Sequence, residues 1–481
     1  MKHFNKKESV LMQFFVKDRE FYNKLINIAI PISLQSLVMF GVNTTDTVMV
    51  GSLGEASIAG VALANQFSFL YQITCFGIAG GMGVLSAQFW GKKDSRSIAS
   101  GLSIILKIAL LFGLFFLAAA LLIPETIMSI YTPDASVVQE GASYLRWLSA
   151  GFFFLGLTTM ISSTLRSVGV VKLTLLTNCV ALVLNIFINW VFIFGNLGAP
   201  QMGTAGAALA TSVCRIVEFL IVAYYLLVRD ERIRFKLRDL LGWNNTIFKN
   251  YAKNGVPVIV SDIFLGLGGN LISIVLGRMG VAVMSASSIA NTIYQLTSVF
   301  LMGVSNASGV ITGNTVGSGD YEKAKAYAKT FLSLAFCISI FAILVIQGVK
   351  NIVFQEFVIG GNVVQVFNVE DSTKEIASQL INTLSVLAVF MTISNILTKG
   401  ILRAGGDTKF LMIADVLFLW VVSVPLGFFT GLYLQLPPYI VLFCLRIDEV
   451  IKSIWCLFRF FSWKWIRNVA ESPDDAYVLN D

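Results

Sequence analysis

One histidine, His3, is all that the 481 residues contain, and it lies in a charged tail. Catalytic imidazoles, haem ligands and most catalytic zinc sites need that side chain inside a fold, so those classes are excluded. The six cysteines, Cys75, Cys179, Cys214, Cys337, Cys444 and Cys456, stand singly in apolar stretches with no CxxC spacing. That removes a zinc site and a disulfide framework, and leaves small buried hydrophobes. Charge is scarce as well. Asp, Glu, Lys and Arg make up 13% of the chain, against about 25% in a soluble domain. So few ionised side chains do not suit an ordinary water-soluble fold.

Apolar sequence is what the chain has instead, at 56% of all residues. Runs of the ~20 residues needed to cross a bilayer recur along its whole length. Twelve are expected, at 27–50, 60–88, 98–122, 140–163, 171–194, 205–228, 254–276, 285–312, 326–348, 376–400, 409–431 and 437–459. Backbone groups in hydrocarbon must be satisfied within their own segment, so the spans are helices and the fold is all-α. The segment Met1 to Lys24 lacks the apolar core and small-residue cleavage site of a signal peptide. Residues 10–16 read equally as a surface-lying segment or a solvated tail.

The net charge of +7 is unevenly placed. Bases crowd the N-terminal tail, Lys92-Lys93, Arg166 and Lys172, residues 229–253, Lys323 and Lys325, Arg403 and Lys409, and residues 459–467. The alternate loops are nearly bare of them. By the positive-inside rule both termini are expected in the cytoplasm of a cell membrane, which requires an even number of spans. The basic balance is therefore topology, with the lipid bilayer as partner and no nucleic acid.

An internal repeat organises the spans. Residues 31–94 align with 257–320 at a constant offset of 226, pairing Pro31 with Pro257, Gly54 with Gly280, Asn65 with Asn291 and Asp94 with Asp320. Arg215-Ile216-x-Glu218 recurs as Arg446-Ile447-x-Glu449. The expected domains are a tail (1–24), an N-lobe (25–228), a cytoplasmic linker (229–253), a C-lobe (254–460) and a tail (461–481). Each lobe has six helices, so the copies share one orientation about a pseudo-two-fold axis along the membrane normal. Two such halves around a central cavity suit a secondary transporter. Pro31 and Pro257 are candidate hinges in the first helix of each lobe, since an interior proline removes a hydrogen bond and bends a helix.

Ionisable groups at a helix centre cost about 2.5–3.5 kcal/mol, so each one needs a reason. Asp46 lies one turn beyond Asn43 in the first span, Asn185 and Asn189 share a face of the fifth, and Thr211 lies in the sixth. A lone carboxylate among amides and a hydroxyl can hold a proton or a small cation. Arg215 and Glu218 are spaced for an intrahelical ion pair, which favours a structural reading. Asp262, Asp415 and Asp448 have no partner by sequence and are candidate cavity residues for cation binding. Asn65, Tyr71, Asn291 and Tyr294 are placed where a central cleft would be.

Taken together these stretches resemble the multidrug and toxic compound extrusion (MATE) family. The resemblance is carried by Pro31 through Asp46-Thr47-Val48-Met49-Val50-Gly51 to Ala64-Asn65-Gln66, by Asn185-x-x-x-Asn189, by Gly203 to Thr211, and by Leu402-Arg403-Ala404-Gly405-Gly406-Asp407-Thr408. It spans about residues 25–465 and implies two six-helix lobes in a V around a cavity, exporting small organic cations or drugs against proton or sodium entry. The family's first-helix acid maps to Asp46, its fifth-helix polar pair to Asn185 and Asn189, and its sixth-helix hydroxyl to Thr211. The chain departs where some members have an aspartate at the place of Asn189, and in having no acid in the middle of the tenth span. The first departure leaves Asp46 as the only acid of that pocket, against a two-carboxylate proton site and in keeping with sodium. The second favours coupling through the N-lobe, with H+ or Na+ as coupling ion and no cofactor. A monomer is expected.

Two rivals differ in what they require. A flippase for lipid-linked precursors wants a cationic cavity for anionic head groups, whereas the unpaired intramembrane charges here are acids. A membrane-embedded enzyme needs a histidine cluster, a metal motif or a nucleophile constellation, and the sequence has none.

Overall fold

The computed structural model of the chain describes residues 15–354, 357–359, 362–364 and 370–470. His3, most of the expected surface-lying segment and the tail from residue 471 lie outside the described residues. Eleven described helices are long and apolar enough to cross a membrane. The first six are Arg19–Gly51, Glu55–Gly91, Ser95–Leu122, Ala135–Ser167, Lys172–Phe194 and Thr204–Arg229. The next five are Asn245–Arg278, Val281–Gly317, Tyr321–Val353, Asp371–Leu402 and Thr408–Tyr433.

The twelfth span differs from its expectation. It is made as two pieces, Pro438–Leu445 and Ile447–Phe461, interrupted at Arg446, whose φ of −118° and ψ of 12° leave the helical region. Arg446 at the break is half-buried, and Asp448 and Glu449 open the second piece. One small departure from all-helical structure is an antiparallel hairpin of Phe357–Ile359 with Asn362–Val364, in the loop after the ninth span.

The repeat is visible in the helix boundaries themselves. The first three helices of each half begin at the same offset of 226: Arg19 and Asn245, Glu55 and Val281, Ser95 and Tyr321. Their caps repeat too. Gly54 and Gly280 take φ of +113° and +127°, a left-handed conformation that a Cβ would strain. Asp94 accepts the Ser97 N–H at 3.0 Å and Asp320 the Lys323 N–H at 3.1 Å, each satisfying a donor orphaned at a helix N-terminus.

Packing groups the helices differently from the sequence repeat. One compact unit is Leu34–Ile263; the other is Met1–Ser33 with Phe264–Asp481. The divisions fall inside the first and seventh spans, a short way past Pro31 and Pro257, and both helices run unbroken through their prolines. In the first unit the second span meets the start of the seventh. A Cβ on Gly81 would stand 2.6 Å from the Gly255 Cα, and the Tyr251 hydroxyl donates to the Ile78 carbonyl at 3.1 Å. In the second unit the start of the first span packs on the eighth and ninth: a Cβ on Gly303 would strike Ala29 and Ser33, and Phe21 packs against Tyr327 and Phe331. Each half thus lends the start of its first helix to the other half's unit. The basic linker 229–253 belongs to the first unit, where Ser103 donates to the Asp239 carbonyl at 2.8 Å.

Candidate functional site

Within the unit Leu34–Ile263 the helices enclose a cavity of about 450 Å³. Asp46 and Asn43 reach it from the first span, Asn65 and Gln72 from the second, Tyr144 from the fourth, Asn178 and Asn185 from the fifth, and Thr211, Arg215 and Glu218 from the sixth. Helical periodicity explains the sets: 178 and 185, like 211, 215 and 218, are separated by whole turns and share a face.

The hydrogen bonds converge on Asp46. Asn189, fully buried behind it, donates from Nδ2 to Asp46 Oδ1 at 2.6 Å and to Asn185 Oδ1 at 3.1 Å. The Asn185 side chain also bonds the Asp46 carboxylate, and the Arg215 charge acts on it through space. Asn189 Oδ1 is buried with no hydrogen-bond donor, an acceptor left open beside the carboxylate. Thr211 donates to the Ala207 carbonyl at 3.1 Å, which leaves its oxygen available as an acceptor. Tyr144 donates to Asn65 Oδ1 across a long 3.5 Å. Arg215 and Glu218 pair at 2.9 Å, so the ionisable lining of the cavity carries two carboxylates and one base.

Several expected positions fall elsewhere. Tyr71 does not line this cavity: it is wholly buried, its ring packed on Phe116 and Phe152, and its hydroxyl against Gly156. Asp262 belongs to the same unit but is half-buried away from the cavity. In the other unit Asn291 bonds the Ser287 hydroxyl at 3.3 Å, and Tyr294 packs on the apolar core around Ile272, Leu384 and Leu445. Asp415, expected without a partner, forms an ion pair with Lys452 at 3.3 Å. Asp448 accepts from the Ser423 hydroxyl at 3.0 Å. Both acids are buried among helices, 3% and 4% exposed, because a carboxylate at that depth survives only with donors and cations around it.

The Arg215–Glu218 pair, which the sequence favours as structural, stands on the cavity wall with Asp46. The signal was its register with Thr211. Lys452 gives no such signal, since its partner Asp415 lies on another helix.

A model of the family described as MatE matches residues 31–191 and again 257–429, the two halves of the repeat. The chain belongs to the MatE family. Members are transporters, so it is a multi-pass membrane transporter and not an enzyme. Among MatE relatives, the uncharacterized transporter YisQ of Bacillus subtilis (strain 168) is 25% identical over 92% of this chain and 95% of its own. A probable multidrug resistance protein NorM of Thermotoga maritima is 23% identical over 93% of each chain. A MOP superfamily transporter from Pyrococcus furiosus, described as having a binding pocket of reverse polarity, superimposes with a TM-score of 0.80 at 21% identity, over 92% of this chain and 96% of that one. At that identity the likeness establishes the fold alone.

Proposed function

We propose that the chain is a secondary active antiporter that exports organic cations, drugs among them, in exchange for protons or sodium ions by alternating access. The observation that carries this reading is Asp46 on the cavity wall, bonded by Asn189 and flanked by an open amide oxygen. With Arg215 offset by Glu218, the lining holds one negative charge in excess when Asp46 is ionised, which attracts a cation and repels an anion. The NorM relatives, named as probable multidrug resistance proteins, support the same cargo class. The paired state of Arg215 argues against a flippase for anionic head groups, which needs an uncompensated base.

Asp46 alternates between a protonated or cation-bound form and a cargo-competent form, with the first helix rebending near Pro31. Pro257 is the corresponding hinge in the seventh helix. Exchanging one proton or sodium ion for one monovalent cation moves no net charge across the membrane, so the ion's concentration gradient drives it. A tenfold ion gradient, about 1.4 kcal/mol, supports a tenfold cargo gradient. One coupling acid therefore suffices. The protein acts as a monomer in the cell membrane with both termini in the cytoplasm, the orientation favoured by its basic loops.

The test is ethidium transport by vesicles carrying the purified protein, with proton and sodium gradients imposed one at a time. One gradient should drive transport in the wild type and neither should in Asp46→Asn. Full gradient-driven transport by that variant would sink the proposal.

A further inference from the structure

The unit that lacks the cavity buries a second set of ionised groups. Lys452, 4% exposed, lies 3.3 Å from Asp415 Oδ1 and 3.2 Å from Glu449 Oε1. Asp448 accepts from the Ser423 hydroxyl at 3.0 Å, while the same oxygen accepts the Asp448 N–H at 2.7 Å. Arg446 acts on both Asp448 and Glu449 through space. The charges of Glu449 and Arg446 act through space on Tyr294 of the eighth span, and those of Asp415 and Lys452 on Cys456. Three carboxylates, Asp415, Asp448 and Glu449, thus stand against two bases, Lys452 and Arg446.

An excess negative charge buried in apolar surroundings is costly and draws a neutralising partner. A separate observation shows where that partner is missing. Glu449 is 9% exposed, and its Oε2 is buried with no hydrogen-bond donor. The hydroxyl of Ser394, 1% exposed, faces that carboxylate without completing an aligned hydrogen bond, and is itself without a partner. The Ser394 hydroxyl can turn its own proton toward Glu449 Oε2, and a proton on one of the two adjacent acids removes the excess charge. A metal ion does not fit as well: Asp448 and Glu449 are consecutive on a helix and diverge by about 100°, and Lys452 already fills the space between Glu449 and Asp415.

We propose that the Asp448–Glu449 pair holds one exchangeable proton, a protonation site separate from Asp46. An O–H bond forms on one carboxylate oxygen with a proton taken from water, and it breaks when the proton returns there. Although the side chains diverge, the charge of Glu449 acts on Asp448 through space, so the two acids titrate as a coupled pair. A place for this proton in coupling rests on the proposed antiport; its existence does not. Each of the two buried clusters then has one carboxylate more than its bases, and the cycle moves two coupling ions instead of one.

Infrared spectroscopy of the full-length protein in nanodiscs tests the site without any transport. The wild type should show a carbonyl band of a buried neutral carboxylic acid that disappears as pH rises. Asp46→Asn should retain such a band, and Asp448→Asn or Glu449→Gln should each alter or remove it. Ser423→Ala, which keeps all charges, should shift its midpoint, and it keeps the test open if an acid variant fails to fold. A band that both acid variants leave unchanged, and that Asp46→Asn abolishes, overturns the proposal. For the coupling role, with the membrane potential clamped at zero and the same pH gradient imposed, Asp448→Asn vesicles should accumulate ethidium to the square root of the wild-type ratio. An unchanged ratio overturns that role while leaving antiport through Asp46 intact.

Discussion

Lys452→Met should be among the most damaging single substitutions in this chain, although it touches no residue of the cavity. The side chain is 4% exposed, and its ammonium stands between Asp415 and Glu449 at 3.3 and 3.2 Å. Methionine keeps the length of the stem and removes the charge, so three buried carboxylates are left facing Arg446 alone. Removing one partner of a buried ion pair costs about 3–5 kcal/mol, because the remaining charge keeps its desolvation penalty. At about 2–4 °C per kcal/mol for a unit of this size, the melting temperature should fall by about 6–20 °C. The assay is thermal unfolding of the detergent-solubilised protein, followed by size-exclusion fluorescence. The loss is electrostatic, so neutralising the acids as well should reverse it: Lys452→Met with Asp415→Asn and Glu449→Gln should melt well above Lys452→Met alone. Lys452→Met melting within a degree or two of the wild type would refute the reasoning. So would a triple variant no more stable than the single one.

Other outcomes follow from the same geometry. Gly81→Val should destabilise the first unit by about 1–3 kcal/mol, since even a Cβ there would stand 2.6 Å from Gly255 Cα; Gly348→Val, where no atom lies near, should leave the melting temperature unchanged. Asn189→Leu removes the donor that Asp46 accepts at 2.6 Å and should cut gradient-driven ethidium efflux about tenfold or more, given about 1.5–3 kcal/mol for a hydrogen bond to a charged group. Wild-type efflux by that variant would show that the bond does not matter. Asp134 caps the fourth span, and the Ser136 hydroxyl and the backbone N–H groups of Val137 and Ser136 hold its carboxyl below its ordinary value of 3.8. A depressed folded-state value contributes stability above pH 3.8 and loses it as pH falls through the depressed value. Asp134→Ala should therefore lower the melting temperature at neutral pH and converge with the wild type in strong acid. A constant difference at all pH values would exclude the cap as the cause.

Much of this architecture is local information, and local information is legible in a sequence. A run of apolar residues must become a helix in hydrocarbon, because no other segment conformation satisfies its own backbone. The offset of 226 between Pro31 and Pro257 reappears as equal offsets of the helix starts at Glu55 and Val281, since the same caps, Gly54 and Gly280, stop and restart the chain. Asn185 and Asn189 share a face by spacing alone, and their bond at 3.1 Å follows from it. Which helix meets which face is not local, and only packing decided it. Nothing in the spacing sets Asn189 against Asp46, 143 residues away, or Lys452 against Asp415. Nor does periodicity separate Tyr71, locked in a ring cluster, from Asn65, which faces open space. The exchange of first-helix starts between the two units rests on close glycine contacts, Gly81 on Gly255 and Gly303 on Ala29, whose meaning appears only once two backbones touch. Hydropathy and period determined the spans, their repeat and the acid in the first helix; tertiary contact decided which charges are neutralised and which is left over, because a charge is compensated across space and not along the chain.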